Sequence, residues 1–277
     1  MPNSIRLSVA CTLLLSAVLG LSTSTHAATL ADMRNVGTMS FCLNPEAMPY
    51  SQRDAGENSP GNGYLYELSI ELIKRLQLSP RVVWLNSLER LNKTDCDLVP
   101  SAIVEKKDLA EQRGRIEKNP EKVFNRLFTA PFNTASGFLV SKSNKYKDFE
   151  SLKATHVAVP SVSYAQVIFN QMKVPIWVRF LTDEDIINAV REDEAGAGLV
   201  TRTGFEWYEF VNGSSGLVKL DIDVDNFELD ADIGMLLRSA DQPALLAVEQ
   251  ALKAMVDDGF TTRAMKKYGI THHPPKR

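Results

Sequence analysis

The sequence predicts an α/β protein made of two similar lobes. Three observations predict it. After residue 38, short apolar runs alternate with amphipathic helical stripes, and that alternation implies mostly parallel sheets flanked by helices. The alternation is read twice, on either side of about residue 136. The chain then closes with one strand and two helices.

The elements follow in order. Arg6 precedes an apolar run from Leu7 to Leu21, then small polar residues and Ala27-Ala28. This is the layout of a secretory signal peptide over residues 1–27, and it implies export to the periplasm. The run falls short of the ~20 residues that a membrane span needs, and no basic stop follows it. Cys11 lies inside the run rather than at a lipid-attachment site.

MSFCL (39–43) reads as a strand, and GYLYELSIELIKRLQL (63–78) as a helix with its apolar stripe at 65, 68, 72, 73 and 76. RVVWL (81–85) is a strand and SLERLNK (87–93) a short helix. CDLVPSAIV (96–104) carries a buried strand expected to stop at Pro100. Residues 105–125 are highly charged and read as a helical excursion over the surface. GFLVS (137–141) opens the second round as a strand.

That round continues with strand HVAVPS, helix SYAQVIFNQM, strand WVRFLT, helix DEDIINAVRE, strand GAGLVT, helix FEWYEFV and strand LVKLDI. Strand ADIGMLLR and helices PALLAVEQALKAMVDDG and FTTRAMKKYGI complete the chain, leaving HHPPKR as a tail expected to fray.

The 31 basic and 34 acidic residues leave a net charge of −3. Such a balance argues against a nucleic-acid partner, which calls for a basic patch. Removing the signal leaves a chain of about 250 residues, enough for one large domain or two small ones. It retains Cys42 and Cys96. An even pair in an oxidising compartment suggests a disulfide, with two separate buried thiols as the alternative. No cofactor or metal spacing accompanies them.

In open α/β sheets, ligands sit at the carboxyl ends of the strands. That rule selects Asn44 to Ser51, Ser101-Ala102, Thr129 to Phe132, Ser161 to Tyr164 and Thr201 to Thr203. The candidate ligand contacts are Asn44, Tyr50, Ser101, Thr129, Ser161, Ser163, Tyr164, Thr201 and Arg202.

Several segments carry a resemblance. GYLYELSIELIKRLQL resembles the first long helix of family 3 of the periplasmic solute-binding proteins, which opens with Gly and an aromatic. CDLVPSAI resembles their third strand, and LFTAPFNTASGFLV the segment that enters their second lobe. IGMLLRSADQPALLAVEQALKAMVDDGFTTRAMKKYGI resembles their ending. The resemblance covers essentially the whole mature chain. It implies a type II clamp whose lobes close over a small ligand. Lobe one would take residues 28–136 and 232–277, and lobe two residues 137–231.

Cys42-Leu-Asn-Pro, Pro49-Tyr50-Ser51 and Thr94-Asp95-Cys96-Asp97 are similar to the J-type proteins that accompany quinoprotein alcohol dehydrogenases. That similarity implies a Cys42–Cys96 bridge pinning the first and third strands near the cleft, with Asn44 and Tyr50 on its rim.

Amino-acid binders of the family fork an arginine onto the ligand's carboxylate and accept its ammonium with an acid. Their arginine turn is missing after Ser101, where the chain reads AIVEKKDLAEQRGRI, with Arg113 and Arg115 as distant substitutes. Their acid is replaced by Thr201-Arg202. A buried ammonium without a partner is costly, so ordinary amino acids are expected to bind weakly unless Asp97 or Glu105 substitutes. In PSVSYAQ (160–166), Ser161 or Ser163 can cap a helix whose free N–H groups favour anions.

Trp177, Phe205 and Trp207 read as core residues, and His156 as structural. The acidic run from Asp221 to Asp232 reads as a solvated crossing between the lobes. No nucleophile elbow, zinc-protease helix or phosphate loop is present.

Three functional classes follow. The chain hands a small ligand to a membrane ABC permease, or serves a periplasmic quinoprotein dehydrogenase as an accessory. Alternatively it is an enzyme on the same fold, similar to cyclohexadienyl dehydratase, which would need a cleft acid with a shifted pKa.

Overall fold

The computed structural model describes residues 29–54, 61–86, 96–161, 163–222 and 230–275. The segment expected to be a signal peptide and the helix expected at 87–93 lie outside these residues, as do Asp223 and Asp225 of the acidic run.

Helix α1 (Leu30–Val36) starts at a reciprocal cap between Thr29 and Asp32 and stops at Gly37, whose φ of 72° suits glycine. Strand β1 (Thr38–Leu43) is buried from Met39 onward. Two-residue strands β2 (Glu46–Ala47) and β3 (Ser51–Gln52) pair in the loop that follows. Helix α2 (Tyr64–Arg75) turns Leu65, Leu68, Leu72 and Ile73 into the core, the stripe that its periodicity predicts.

Strands β4 (Ser79–Trp84) and β5 (Leu98–Ile103), helix α3 (Lys106–Lys118) and strand β6 (Phe124–Phe128) complete the first round. The second round holds β7 (Asn133–Ser141), α4 (Phe149–Leu152), β8 (Val157–Pro160), α5 (Tyr164–Gln171), β9 (Ile176–Phe180) and α6 (Asp183–Arg191). It ends with β10 (Ala197–Thr201), α7 (Arg202–Asn212) and β11 (Val218–Lys219). The long strand β12 (Asp230–Ala240), α8 (Gln242–Asp257) and α9 (Phe260–Lys266) close the chain.

The sheet has two halves of identical order. One runs β4-β1-β5-β12 with β6 beyond β12, and the other runs β9-β8-β10-β7 with β11 beyond β7. In each half three strands are parallel, β4, β1 and β5 in one and β9, β8 and β10 in the other, and the crossing strand pairs antiparallel with the last of them. The crossing strands β7 and β12 pair with each other between Asn133↔Ile233 and Ser136↔Asp230, joining the lobes.

Phe41, Leu68, Leu98 and Leu237 lie in the core of the first lobe. Leu152 and Val157 pack in one core of the second lobe, and Ile186 and Val200 in another. Full burial of a Leu or Ile side chain contributes about 1.5–3 kcal/mol, so these cores carry much of the fold's stability.

Four expectations need correction. First, β5 does not stop at Pro100 but continues to Ile103. β1 pairs with β5 only at Phe41↔Leu98, and β12 shifts register between Gly234 and Leu236, opposite the proline. A residue without an N–H is tolerated where the ladder is irregular. Second, the segment read as surface excursion ends in β6, whose Leu127 is fully buried against β12. Third, Trp177, Phe205 and Trp207 pack against the cores but are only partly buried. Trp177 stacks on His156, with ring centroids 4.8 Å apart. Fourth, the tail is docked. His272 Nε2 lies 2.8 Å from the Phe132 carbonyl, Thr134 N–H donates to the His273 carbonyl at 2.7 Å, and His273 N–H donates to Asn133 at 3.1 Å.

Candidate functional site

The site begins where β1 ends. Cys42 is bonded to Cys96, with Cα atoms 5.6 Å apart, and both residues are buried. Asp97 fixes the same junction, because its carboxylate accepts from both the N–H and the hydroxyl of Ser40 at 2.7 Å. The end of β1 and the start of β5 are therefore held by a covalent bond and by charge-assisted hydrogen bonds.

The loop from Asn44 to Gln52 is held by the amino end of α2. Tyr64 N–H donates to the Pro49 carbonyl and Leu65 N–H to the Tyr50 carbonyl, each at 3.0 Å. Gly63 makes this approach possible. Its φ is 106°, and a Cβ there would lie 2.5 Å from the Tyr50 carbonyl oxygen. Ser51 donates its hydroxyl to the Asn44 carbonyl, and the Asn44 side chain accepts from Glu46 N–H. Tyr50 thus stands on a loop tied at both ends.

A pocket of about 250 Å³ opens here. It brings together three sequence candidates, Asn44, Tyr50 and Ser101, with Val99, Pro100 and Leu85 as apolar wall. None of its lining residues is charged.

Lobe two supplies the opposing side. Thr201 ends β10 and caps α7, its hydroxyl accepting from Gly204 N–H at 3.0 Å. The same residue donates its N–H to Asp183 Oδ1 at 2.8 Å and its hydroxyl to Oδ2 at 2.6 Å. Gly204 leaves room for this carboxylate, since a Cβ there would lie 1.9 Å from Oδ2. Burial holds the Asp183 carboxyl above its ordinary range, with the two bonds from Thr201 working against that rise. Among the described residues no cation pairs with Asp183.

Tyr50 meets this group from across the cleft. Thr201 and Thr203 lie close enough to its hydroxyl to favour its ionised form. Its pKa is raised by burial first and by the negative charge of Asp183 second. Tyr50 and Thr201 are therefore brought together with Thr203 of the same strand-end stretch, and Asp183 joins them unforeseen. Asp183 opens α6 just beyond the end of β9, so extending the strand-end rule to that strand would have found it.

The other candidates lie elsewhere. Thr129 has no exposed surface. Its hydroxyl donates to the Ala130 carbonyl and accepts from Met235 N–H, both at 2.9 Å. Ser161 N–H continues the ladder to the Phe180 carbonyl. Ser163 occupies the cap position of α5 but turns its hydroxyl back to the Pro160 carbonyl at 2.8 Å, leaving no side-chain cap. Tyr164 is the first residue of that helix. Arg202 begins α7 near the tail. With burial as the larger cause, its charge helps hold His273 below the ordinary histidine range. Arg113 is exposed on α3, and Glu105 pairs with Lys107 at 2.8 Å.

No protein-family model matches the sequence, and no curated protein matches it. Solved structures do. An ancestral amino acid-binding protein, described as a precursor of cyclohexadienyl dehydratase, superposes with a TM-score of 0.63 at 20% identity, covering 87% of this chain and 99% of its own. A Streptococcus pneumoniae amino acid ABC transporter substrate-binding protein, solved with L-arginine, gives 0.63 at 16% identity, covering 88% and 98%. The L-cystine solute receptor of Neisseria gonorrhoeae in its unliganded open conformation gives 0.65 at 12% identity, covering 90% and 100%.

The chain has the two-lobed fold of the periplasmic binding proteins. The Asn44–Tyr50–Ser101 wall and the Asp183–Thr201 pair come together at Tyr50. Among the described residues no helix is long and apolar enough to cross a membrane, and no group of His, Cys, Asp and Glu is arranged to hold a metal ion.

Proposed function

We propose that the chain is an extracytoplasmic solute-binding protein whose cleft takes a small organic ligand lacking an amino acid's carboxylate. One observation carries this reading. The lobe-one wall around Asn44, Tyr50 and Ser101 has no charged residue, while Asp183 brings a buried negative charge from lobe two. An anion placed there would meet repulsion and no arginine fork. A neutral ligand, or one bearing an amine, would find hydroxyl and carboxamide partners. We further propose the lobe boundaries 28–136 with 232–277 and 137–231, a reading that the β7–β12 pairing supports.

The role served by that ligand divides two ways. Delivery to a membrane ABC permease is the reading that the fold supports. A second, as accessory to a periplasmic quinoprotein dehydrogenase, is favoured by the bridge from Cys42 to Cys96, where similarity to the J-type proteins implies one. A dehydratase-like activity has an acid to draw on in Asp183, but both of its oxygens are engaged by Thr201.

Titration calorimetry against the standard amino acids tests the ligand class. Absent heats are expected, and micromolar binding of any of them would overturn the carboxylate exclusion. Affinity capture from a periplasmic extract, with mass spectrometry of bound proteins and small molecules, tests the role. Retention of a dehydrogenase would select the accessory reading, and retention of a small solute with no dehydrogenase the transport reading.

A further inference from the structure

Helix α7 has two working faces. Gly204, Phe205 and Tyr208 face lobe two: Gly204 underlies Asp183, Phe205 packs edge-on to Phe138 at 5.4 Å, and the Tyr208 hydroxyl donates to Asn188 at 3.0 Å. A second stripe at 203, 206, 207 and 210 has the i, i+3, i+4, i+7 spacing of one helical face. That stripe meets lobe one. Thr203 is in reach of the Tyr50 hydroxyl. Glu206 accepts from Thr271 N–H at 2.7 Å. The Trp207 ring lies 6.1 Å from the Tyr268 ring and packs on the lobe-one core. Phe210 sits where a Cβ on Gly269 would lie, only 2.4 Å from the Phe210 Cβ.

The segment that receives this stripe is itself anchored. The Tyr268 hydroxyl accepts from Gly63 N–H at 2.9 Å and donates to Glu67 at 2.6 Å. Beyond it, the tail runs beside β7 at Thr134, whose other neighbour is Asp232 of β12. At that point the tail lies against the two strands that join the lobes.

We propose that α7 and the carboxyl-terminal segment Tyr268–Pro275 form a built-in clasp that holds the lobes shut without a ligand. Glu206, Trp207 and Phe210 each touch the lobe-one tail, so closure has stabilising contacts of its own. The tail also resists pivoting, because turning the lobes about β7 and β12 must shear the Thr134–His273 bond or carry the tail along. Opening the cleft therefore requires release of Glu206, Trp207 and Phe210 from the tail. A clasp shared by the free and bound closed forms favours closure before the ligand arrives, and the population of the closed form scales the apparent affinity. The inference is independent of the ligand's chemistry.

The test uses the mature chain, unfolded and refolded to remove any co-purified ligand, in small-angle X-ray scattering. The full chain should match the scattering of the closed structure. Truncation after Ile270 and, separately, Trp207→Ala should each shift it to a larger radius of gyration with unchanged circular dichroism. Val167→Ala, exposed on α5 away from the clasp, should leave it unchanged. Amide exchange in Glu206→Ala gives a second reading that leaves the core intact: protection should fall at Thr271 and at Thr134 together. An open full-length protein without ligand would overturn the clasp. So would unchanged scattering in folded Trp207→Ala and truncated chains, or loss of protection at Thr271 alone.

Discussion

Replacing both Cys42 and Cys96 by alanine should cost the chain about 4 kcal/mol. The bridge closes a loop across a sequence separation of 54, and in the chain-entropy model a loop of that length removes roughly 4 kcal/mol of unfolded-state freedom at 25 °C. For a chain of this size, 1 kcal/mol moves Tm by about 2–4 °C, so a fall of about 8–16 °C is expected. Urea unfolding of the oxidised protein and the double variant measures the difference directly. The variant should also show a larger m-value, because its unfolded chain is less constrained and exposes more surface. Asp97 still binds Ser40 in the variant, so β1 and β5 should stay paired and the loss should come chiefly from the unfolded state. A destabilisation below about 1 kcal/mol would refute that loop argument, and two free thiols in non-reduced mass mapping would remove its premise.

Asp183→Asn should flatten a pH dependence of stability. The carboxyl is held above its ordinary range, so just above about pH 3.9 the folded chain keeps a proton that the unfolded chain has lost. Stability then falls as pH rises through the folded pKa; equal slopes for wild type and variant in urea titrations at stepped pH would reject this. Thr129→Val should lower stability by about 1–3 kcal/mol, because Met235 N–H loses its buried acceptor. Thr129→Ser should recover most of that loss in the same urea assay.

The alternation of strands and helices was legible because it is local: β1, α2, β8 and α6 each carry their own period and their own stop signal. β6 was not, because its sequence, Phe-Asn-Arg-Leu-Phe, follows a long charged helix and becomes a strand only by pairing with β12, more than a hundred residues away. The docked tail was missed for the same reason. Nothing in His-His-Pro-Pro marks it as ordered, and its bonds go to Phe132, Asn133 and Thr134 at the lobe join. Periodicity reports that a side chain has a partner, but not which surface provides it.

That limit applies most to the cleft, where each side completes the other. Asn44, Tyr50 and Ser101 share a strand-end logic that a sequence can express, and the structure brings all three to one pocket. Asp183 gains meaning only when Thr201 and Tyr50 stand beside it, across two helix starts and both lobes. Trp207 reads as core because it lies on an apolar stripe, and it does pack on a core, that of the opposite lobe. A clamp divides its site between surfaces distant in sequence, so neither wall identifies the ligand by itself. In the proposed cleft the uncharged wall of lobe one offers a carboxylate no partner, the acid of lobe two repels one, and the proposed α7 clasp brings the two together.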